Sequence, residues 1–358
     1  MLLKDLCDNN IGTYGIGASA CTYNEDYPVY LRITDISDDG KLLKPFRASI
    51  NPKDYPNWKD YILKMNDLVF ARTGNSTGRN YFHNTNEQLV YAGFLIRFSI
   101  NPSKVLPRYV GYYCQSESYW NQIKTFLEGS TRPTMNAELY KNLDIPIVGR
   151  ELQQHIVDII GSVDSLIELN QEKISKIKRL ATQKYEFLYK TYPKSAIGKR
   201  LKFIKGKQPK FASKEDGEPY LIIDDLASNI HTQFSSEGLV CDENDVLMVM
   251  DGASSGKVFM GNNGYVGSTL AKLSSPQIKP SILYFGLSKF EEEIMKNTTG
   301  SAIPHTDKSF VSELRIVDDL DDKTTDFFNF CLNQICNLRT QNSLFYIQKE
   351  ILLKKYFH

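Results

Sequence analysis

The chain is written twice, and this duplication limits its possible folds more than any other property of its 358 residues. Tyr30-Leu31-Arg32-Ile33-Thr34-Asp35-Ile36 recurs as Tyr220-Leu221-Ile222-Ile223-Asp224-Asp225-Leu226, each reading as a short strand that ends in a turn. Asp67-Leu68-Val69-Phe70, followed by a polar loop with Gly74 and Gly78, returns as Asp245-Val246-Leu247-Met248 with Gly252 and Gly256 at the same spacing. Tyr91-Ala92-Gly93 matches Tyr265-Val266-Gly267, and Gly129-Ser130 with Pro133 and Leu143 matches Gly300-Ser301 with Pro304 and Leu314. The order is kept while the offset falls through 190, 178, 174 and 171, as expected of one unit copied with extra loop residues in its first version.

Each copy ends in a helix with a heptad seam. From Ile156, the positions Ile160, Val163, Ile167, Asn170, Ile174, Ile177, Ala181, Lys184 and Leu188 alternate steps of four and three. Cys331, Ile335, Leu338, Asn342, Phe345, Lys349, Leu352 and Tyr356 keep the same rhythm. An Asn near the middle of each seam sets register at some cost in stability. The first helix leads from copy one to copy two and the second starts at copy two, so packing them together makes them antiparallel. The segment Arg150 to Lys190 would span roughly 60 Å as a helix, placing the two copies at opposite ends of a rod with a pseudo-twofold axis. The predicted fold is α+β, with similar globular domains at 1–148 and 193–318 separated by an antiparallel coiled coil of helices 149–192 and 319–358.

Composition excludes several classes. Apolar runs such as Val246 to Met250 are far short of a membrane span, and Met1 to Asn10 has no basic stretch leading into an apolar one, so a cytoplasmic protein is expected. Cys7, Cys21, Cys114, Cys241, Cys331 and Cys336 form no CxxC pair and read as buried thiols. The net charge of +1 is uninformative, but Lys199 to Lys214 holds seven basic residues and no acidic one, either a solvated loop or a contact surface.

No catalytic motif stands out. Gly252 to Val258 resembles a phosphate loop, but its glycines are one residue too close and Val258 stands where Ser or Thr would bind magnesium. Gly15-Ile16-Gly17-Ala18-Ser19-Ala20 lacks a convincing preceding strand and reads as a glycine turn. Among His83, His155, His231, His305 and His358 no two have metal-ligand spacing, so no metal site is expected. Asp242, Glu243 and Lys257 could be assembled into a nuclease triple, but such triples arise by chance in most chains of this size.

The ordered duplication, with Leu143-Asp144-Ile145-Pro146-Ile147, then Leu152-Gln153-Gln154 and the Ile-rich helix Ile156 to Tyr189, resembles the specificity (S) subunits of Type I restriction-modification systems from end to end. The loops Asp67 to Gly78 and Asp245 to Gly256, and those at Gly129-Ser130 and Gly300-Ser301, are similar to their counterparts in the family's target-recognition domains. The second copy, Leu314-Arg315-Ile316-Val317-Asp318-Asp319, departs by lacking the proline and the Gln pair.

The resemblance implies a non-catalytic subunit that reads a split, asymmetric DNA target. It implies two methyltransferase subunits docked on the helices and a restriction subunit beside them, with S-adenosylmethionine and ATP with magnesium bound by those partners and no cofactor in this chain. A DNA-modifying or DNA-cleaving enzyme with an unrecognised active site, and a bivalent scaffold that binds no DNA, are the competing classes.

Reading bases requires side chains such as Arg on guanine and Asn or Gln on adenine, presented from a rigid sheet. Arg72, Asn75, Ser76 and Arg79 in the first copy and Ser254, Ser255 and Lys257 in the second are candidates. So are Ser130, Thr131, Arg132 and Asn136, with Ser301, His305 and Thr306. Lys202, Lys205, Lys207 and Lys210 are candidates for phosphates, which position a protein on DNA without specifying sequence.

Overall fold

The computed structural model describes residues 1–128, 134–228, 231–300 and 303–358. They form two compact units, Met1–Asp164 with Ile347–His358, and Ser165–Tyr346.

In the first unit an antiparallel sheet runs Thr13–Tyr14, Leu95–Ser99, Asp67–Ala71, Asn80–Phe82. A second sheet runs Cys21–Thr22, Ala48–Ser49, Val29–Leu31, Leu89–Tyr91, with its last two strands parallel. The second unit repeats the plan. One sheet runs Lys202–Lys205, Leu270–Ser274, Val246–Val249, Val258–Met260, and the other places Glu218–Leu221 parallel to Gly264–Val266. Of the central strands, Asp67–Ala71 and Val246–Val249 are buried at every position because both faces are covered, whereas Leu95–Ser99 and Leu270–Ser274 carry half-buried Arg97 and Lys272. Most of the surplus of the first copy lies between residues 36 and 67, where Ala48–Ser49 and the short helical turn Trp58–Tyr61 are found.

The strand register corrects one equivalence. Leu31 pairs with Tyr91 and Leu221 with Val266, so Tyr91 corresponds to Val266 and not to Tyr265. Successive strand residues face opposite sides, so a one-residue slip exchanges core for surface. Tyr91 and Val266 are accordingly buried, whereas Tyr265 is half-buried.

The repeat extends to close contacts that neighbouring residues did not reveal. A Cβ on Gly15 would lie 2.2 and 2.3 Å from the carbonyl oxygens of Ala92 and Tyr91, and one on Gly206 would lie 2.2 and 2.3 Å from those of Val266 and Gly267. Only glycine lets the backbones approach this closely. The Tyr30 hydroxyl donates to the Ile16 carbonyl at 2.9 Å and that of Tyr220 to the Lys207 carbonyl at 3.0 Å, again at matching places.

The helices are Arg150–Thr191 and Asp322–Tyr356, of 42 and 35 residues. They run antiparallel within each unit. In the second, Tyr185 packs on Phe328 with ring centroids 6.0 Å apart, and Asn170 donates to Gln341 at 3.3 Å. In the first, Asp164 meets Lys349 and His155 meets Tyr356. Every seam position is buried or half-buried. Among the described residues no bond joins the two seam asparagines, and Asn342 Nδ2 donates instead to the Ile167 carbonyl at 3.4 Å.

The helices also complete the globular cores. Ile156, Ile160, Leu353 and Phe357 join Leu68, Phe70 and Phe98 in the first unit, and Ala181, Tyr185, Leu188, Phe328 and Ile335 join Val246, Met248 and Leu273 in the second. Each Leu, Ile or Phe among them contributes about 1.5–3 kcal/mol on full burial. Of the six thiols, Cys7, Cys114, Cys241 and Cys331 are buried, whereas Cys21 and Cys336 are half-buried, a partial departure from the expected burial of all six. Burial pushes Cys7 up to about 12.

Candidate nucleic-acid interface

At the head of the strand leading into each glycine loop is an acid that is tied across the sheet. Asp67 accepts from Ser99 and lies 3.8 Å from Arg97, and Asp245 lies 2.6 Å from Lys272. Burial raises the Asp67 pKa in spite of those partners. After the strand the chain turns through left-handed glycines, Gly74 (φ 72°) and Gly78 (φ 97°) in one copy and Gly252 (φ 103°) and Gly256 (φ 95°) in the other. Residues with a Cβ are strained in this region.

In each unit an isolated β-bridge holds the glycine loop against the second loop. Thr73 pairs with Thr134, and Asp251 with His305. These are equivalent positions, offset by 178 and 171. The adjoining bonds repeat, with the Met135 amide donating to the Arg72 carbonyl at 2.9 Å and the Thr306 amide to that of Met250 at 2.8 Å. The edge strand supplies a third position, since Tyr14 lies opposite Ile96 as Lys205 lies opposite Ala271.

The same backbone corner thus carries Tyr14, Thr73 and Thr134 in one unit and Lys205, Asp251 and His305 in the other. In the first, the Arg72 guanidinium lies 5.1 Å from the Tyr14 ring, and the Tyr14 hydroxyl accepts from the Ala137 amide at 3.1 Å. In the second, Asp251 accepts from Lys205 at 2.6 Å and sits 2.7 Å from His305 Nδ1. Partial burial raises the Asp251 pKa, but those bonds outweigh it and hold the carboxyl below its ordinary range.

The remaining candidates separate by exposure. Asn75 is exposed, and Ser76, Ser254 and Lys257 are half-buried. Arg79, equivalent to Lys257, pairs with the exposed Asp38. Asn136 is exposed but caps the short helix Ala137–Tyr140, accepting from the Leu139 amide at 2.9 Å.

Two candidates are corrected. Ser255 is buried, with its hydroxyl within bonding distance of the Gly252 and Pro304 carbonyls, and Thr306 is buried and donates to the Val249 carbonyl at 2.6 Å. Both hold the loops together rather than facing outward. Ser130, Thr131, Arg132 and Ser301 lie outside the described residues.

Lys202, Lys205, Lys207 and Lys210 are all exposed. The run is less basic in space than in sequence, because Lys205 faces Asp251, Lys210 pairs with Glu237 at 2.8 Å, and Arg200 pairs with Asp318. Sequence reasoning missed Tyr14, Thr73, Thr134 and Asp251. Their signal was available, since each occupies the copy of a position already singled out or adjacent to one.

Of the possible nuclease triple, Glu243 lines one cavity and Lys257 another. Among the described residues no three His, Cys, Asp or Glu side chains are placed to hold a metal, and no helix is long and apolar enough to cross a membrane.

The profile of the Type I restriction modification DNA specificity domain matches residues 1–179. The chain is 34% identical over 128 residues to the Type I restriction enzyme MjaVIII specificity subunit of Methanocaldococcus jannaschii, covering 34% of this chain and 30% of that protein. It is 26% identical over 135 residues to the HindI specificity subunit of Haemophilus influenzae, covering 37% and 29%. The matched part therefore spans less than a third of either relative's length. The crystal structure of a Type I restriction-modification S subunit from M. genitalium shares the fold, with a TM-score of 0.50 at 16% identity over 100% of this chain and 95% of that one.

Proposed function

Because the chain belongs to the Type I restriction modification DNA specificity domain family, we propose that it reads a bipartite, asymmetric DNA sequence and leaves the chemistry to partner subunits. The carrying observation is the repeated corner. One backbone frame presents Tyr14, Thr73 and Thr134 in one copy and Lys205, Asp251 and His305 in the other, with Arg72 beside the first. Equal frames with different side chains suit two readers of two different half-sites. The recognition domains are residues 1–148 and 193–318, each followed by its helix, 149–192 and 319–358.

The helices offer the partner surface. Beyond their seams they leave Leu166, Leu169, Leu180 and Phe187, and Phe330, Leu344 and Ile351, exposed. Apolar side chains in such numbers on two helices fit docking of protein subunits. Two methyltransferase subunits with S-adenosylmethionine, and a restriction subunit with ATP and magnesium, complete the proposed assembly, and this chain holds no cofactor of its own.

The test is incubation of the purified chain with duplex DNA, magnesium and S-adenosylmethionine, alone and with its methyltransferase subunits. Methylation is expected only with the subunits, at a split asymmetric sequence read out by methylome sequencing. Methylation or cutting by the chain alone overturns the proposal.

A further inference from the structure

The C-terminal helix carries two shielded cations, buried Lys349 and half-buried Arg339, and they are treated differently. Lys349 has a carboxylate partner, with Nζ 2.6 Å from Asp164 Oδ1. Arg339 in the second unit has, among the described residues, neutral ones, as its guanidinium donates to the Leu226 carbonyl and, at 2.8 Å, to Asn262 Oδ1. Burial pulls its pKa down, yet an arginine stays protonated in proteins. The guanidinium is half-buried, and a partly desolvated charge without a counterion carries a penalty that carbonyl dipoles offset only in part.

Arg339 lines a cavity of about 260 Å³ together with His231, Asn262, Cys336 and Thr340. Asn262 is 4% exposed. Its orientation is fixed, because a guanidinium can only donate and must face Oδ1. That leaves Nδ2, a donor with no partner, in the cavity wall, and His231 Nδ1 is also buried without one. Water would satisfy the amide and the imidazole but would not neutralise the arginine. Arg339 also lines a larger cavity of about 680 Å³ with Lys178 and Lys257 on its walls, but the unpartnered buried atom there is Asn342 Oδ1, an acceptor that repels an oxyanion. Glu243, the acid of the smaller cavity, is exposed.

We propose that this cavity binds a small oxyanion, a phosphate or carboxylate group, held by Arg339 and the Asn262 amide and clamping the C-terminal helix to the turn at Gly261–Asn263. The test is thermal unfolding of the full chain with inorganic phosphate, or malonate as a dicarboxylate, exchanged for chloride at constant ionic strength. The transition is expected to rise and saturate with one of the two anions, following ligand linkage, and the responding anion identifies the group.

Asn262→Asp keeps the acceptor for Arg339 and puts a negative charge where the free N–H stood. Its transition should start higher than that of the unaltered chain and no longer respond to either anion. No response in the unaltered chain overturns the proposal. So does an equal, unsaturated rise in Asn262→Asp, the mark of general salt exclusion, and so does stabilisation by duplex DNA but by neither small anion.

Discussion

Asp164 is the acid on which the first unit's helix packing turns. It sits 2.6 Å from Lys349, 3.2 Å from Arg108 and 3.0 Å from the Tyr112 hydroxyl, with both ions of the Asp164–Lys349 pair below a tenth exposed. Burial opposes its ionisation, but the charge of Lys349 prevails and holds the carboxyl below its ordinary range, while burial lowers the Lys349 pKa. Asp164→Ala strands the buried ammonium and should cost about 3–5 kcal/mol in urea unfolding, whereas Asp164→Leu with Lys349→Met should recover most of it. A group whose folded pKa is depressed stabilises above its unfolded pKa and loses that contribution as pH falls through the folded one. Stability should therefore drop on acidification below the ordinary carboxylate range, and Asp164→Leu/Lys349→Met should flatten that drop. At the surface, neutralising Lys205, Lys207 and Lys210 together should weaken DNA binding about equally on all sequences and lower the salt slope by at most about three units. The loss should fall short of three, because Asp251 and Glu237 already occupy two of these lysines. An unchanged slope in binding measured across salt would return the run to a solvated surface.

At the scale of elements, the seam is the feature most sensitive to charge. Ile167 is fully buried and Ile174 half-buried. Ile167→Asp with Ile174→Asp should unfold the helix pair and abolish assembly with the methyltransferase subunits, a result size-exclusion chromatography reads directly. Normal assembly of that variant would remove the helices from the partner interface. Gly15→Ala and Gly206→Ala form a matched pair, since both push a methyl into two carbonyl oxygens at the same place in the two copies. Each should destabilise its own unit by about 1–3 kcal/mol, the usual cost of overpacking. A harmless substitution at either site, seen in thermal unfolding, would show that the close approach is not required there.

At the scale of the whole molecule, the duplication makes the two proposed readers separable. Replacing residues 195–316 with the corresponding region of a related chain should change one half of the methylated sequence and leave the other half intact. Methylome sequencing that found both halves altered, or a continuous palindromic target, would refute two independent readers.

The amino-acid sequence by itself determined the duplication, the alternation of strand and glycine loop, and both heptad seams, because periodicity and repetition are properties of order along the chain. It misplaced Tyr91 by one residue, since matching aromatic letters outweighed the two-residue alternation that pairing enforces. Only the tertiary structure decided which loop residues face outward. Ser255 and Thr306 have the composition of readers, but their hydroxyls are taken by carbonyls of a loop 49 and a strand 57 residues away. Likewise Asp251 looked unremarkable until folding set it between Lys205 and His305, and Arg339 until it was half-buried against neutral partners. Charge and hydrogen-bonding capacity are written in the sequence, but whether each is spent internally or left for a partner depends on distances that exist only after the chain has closed.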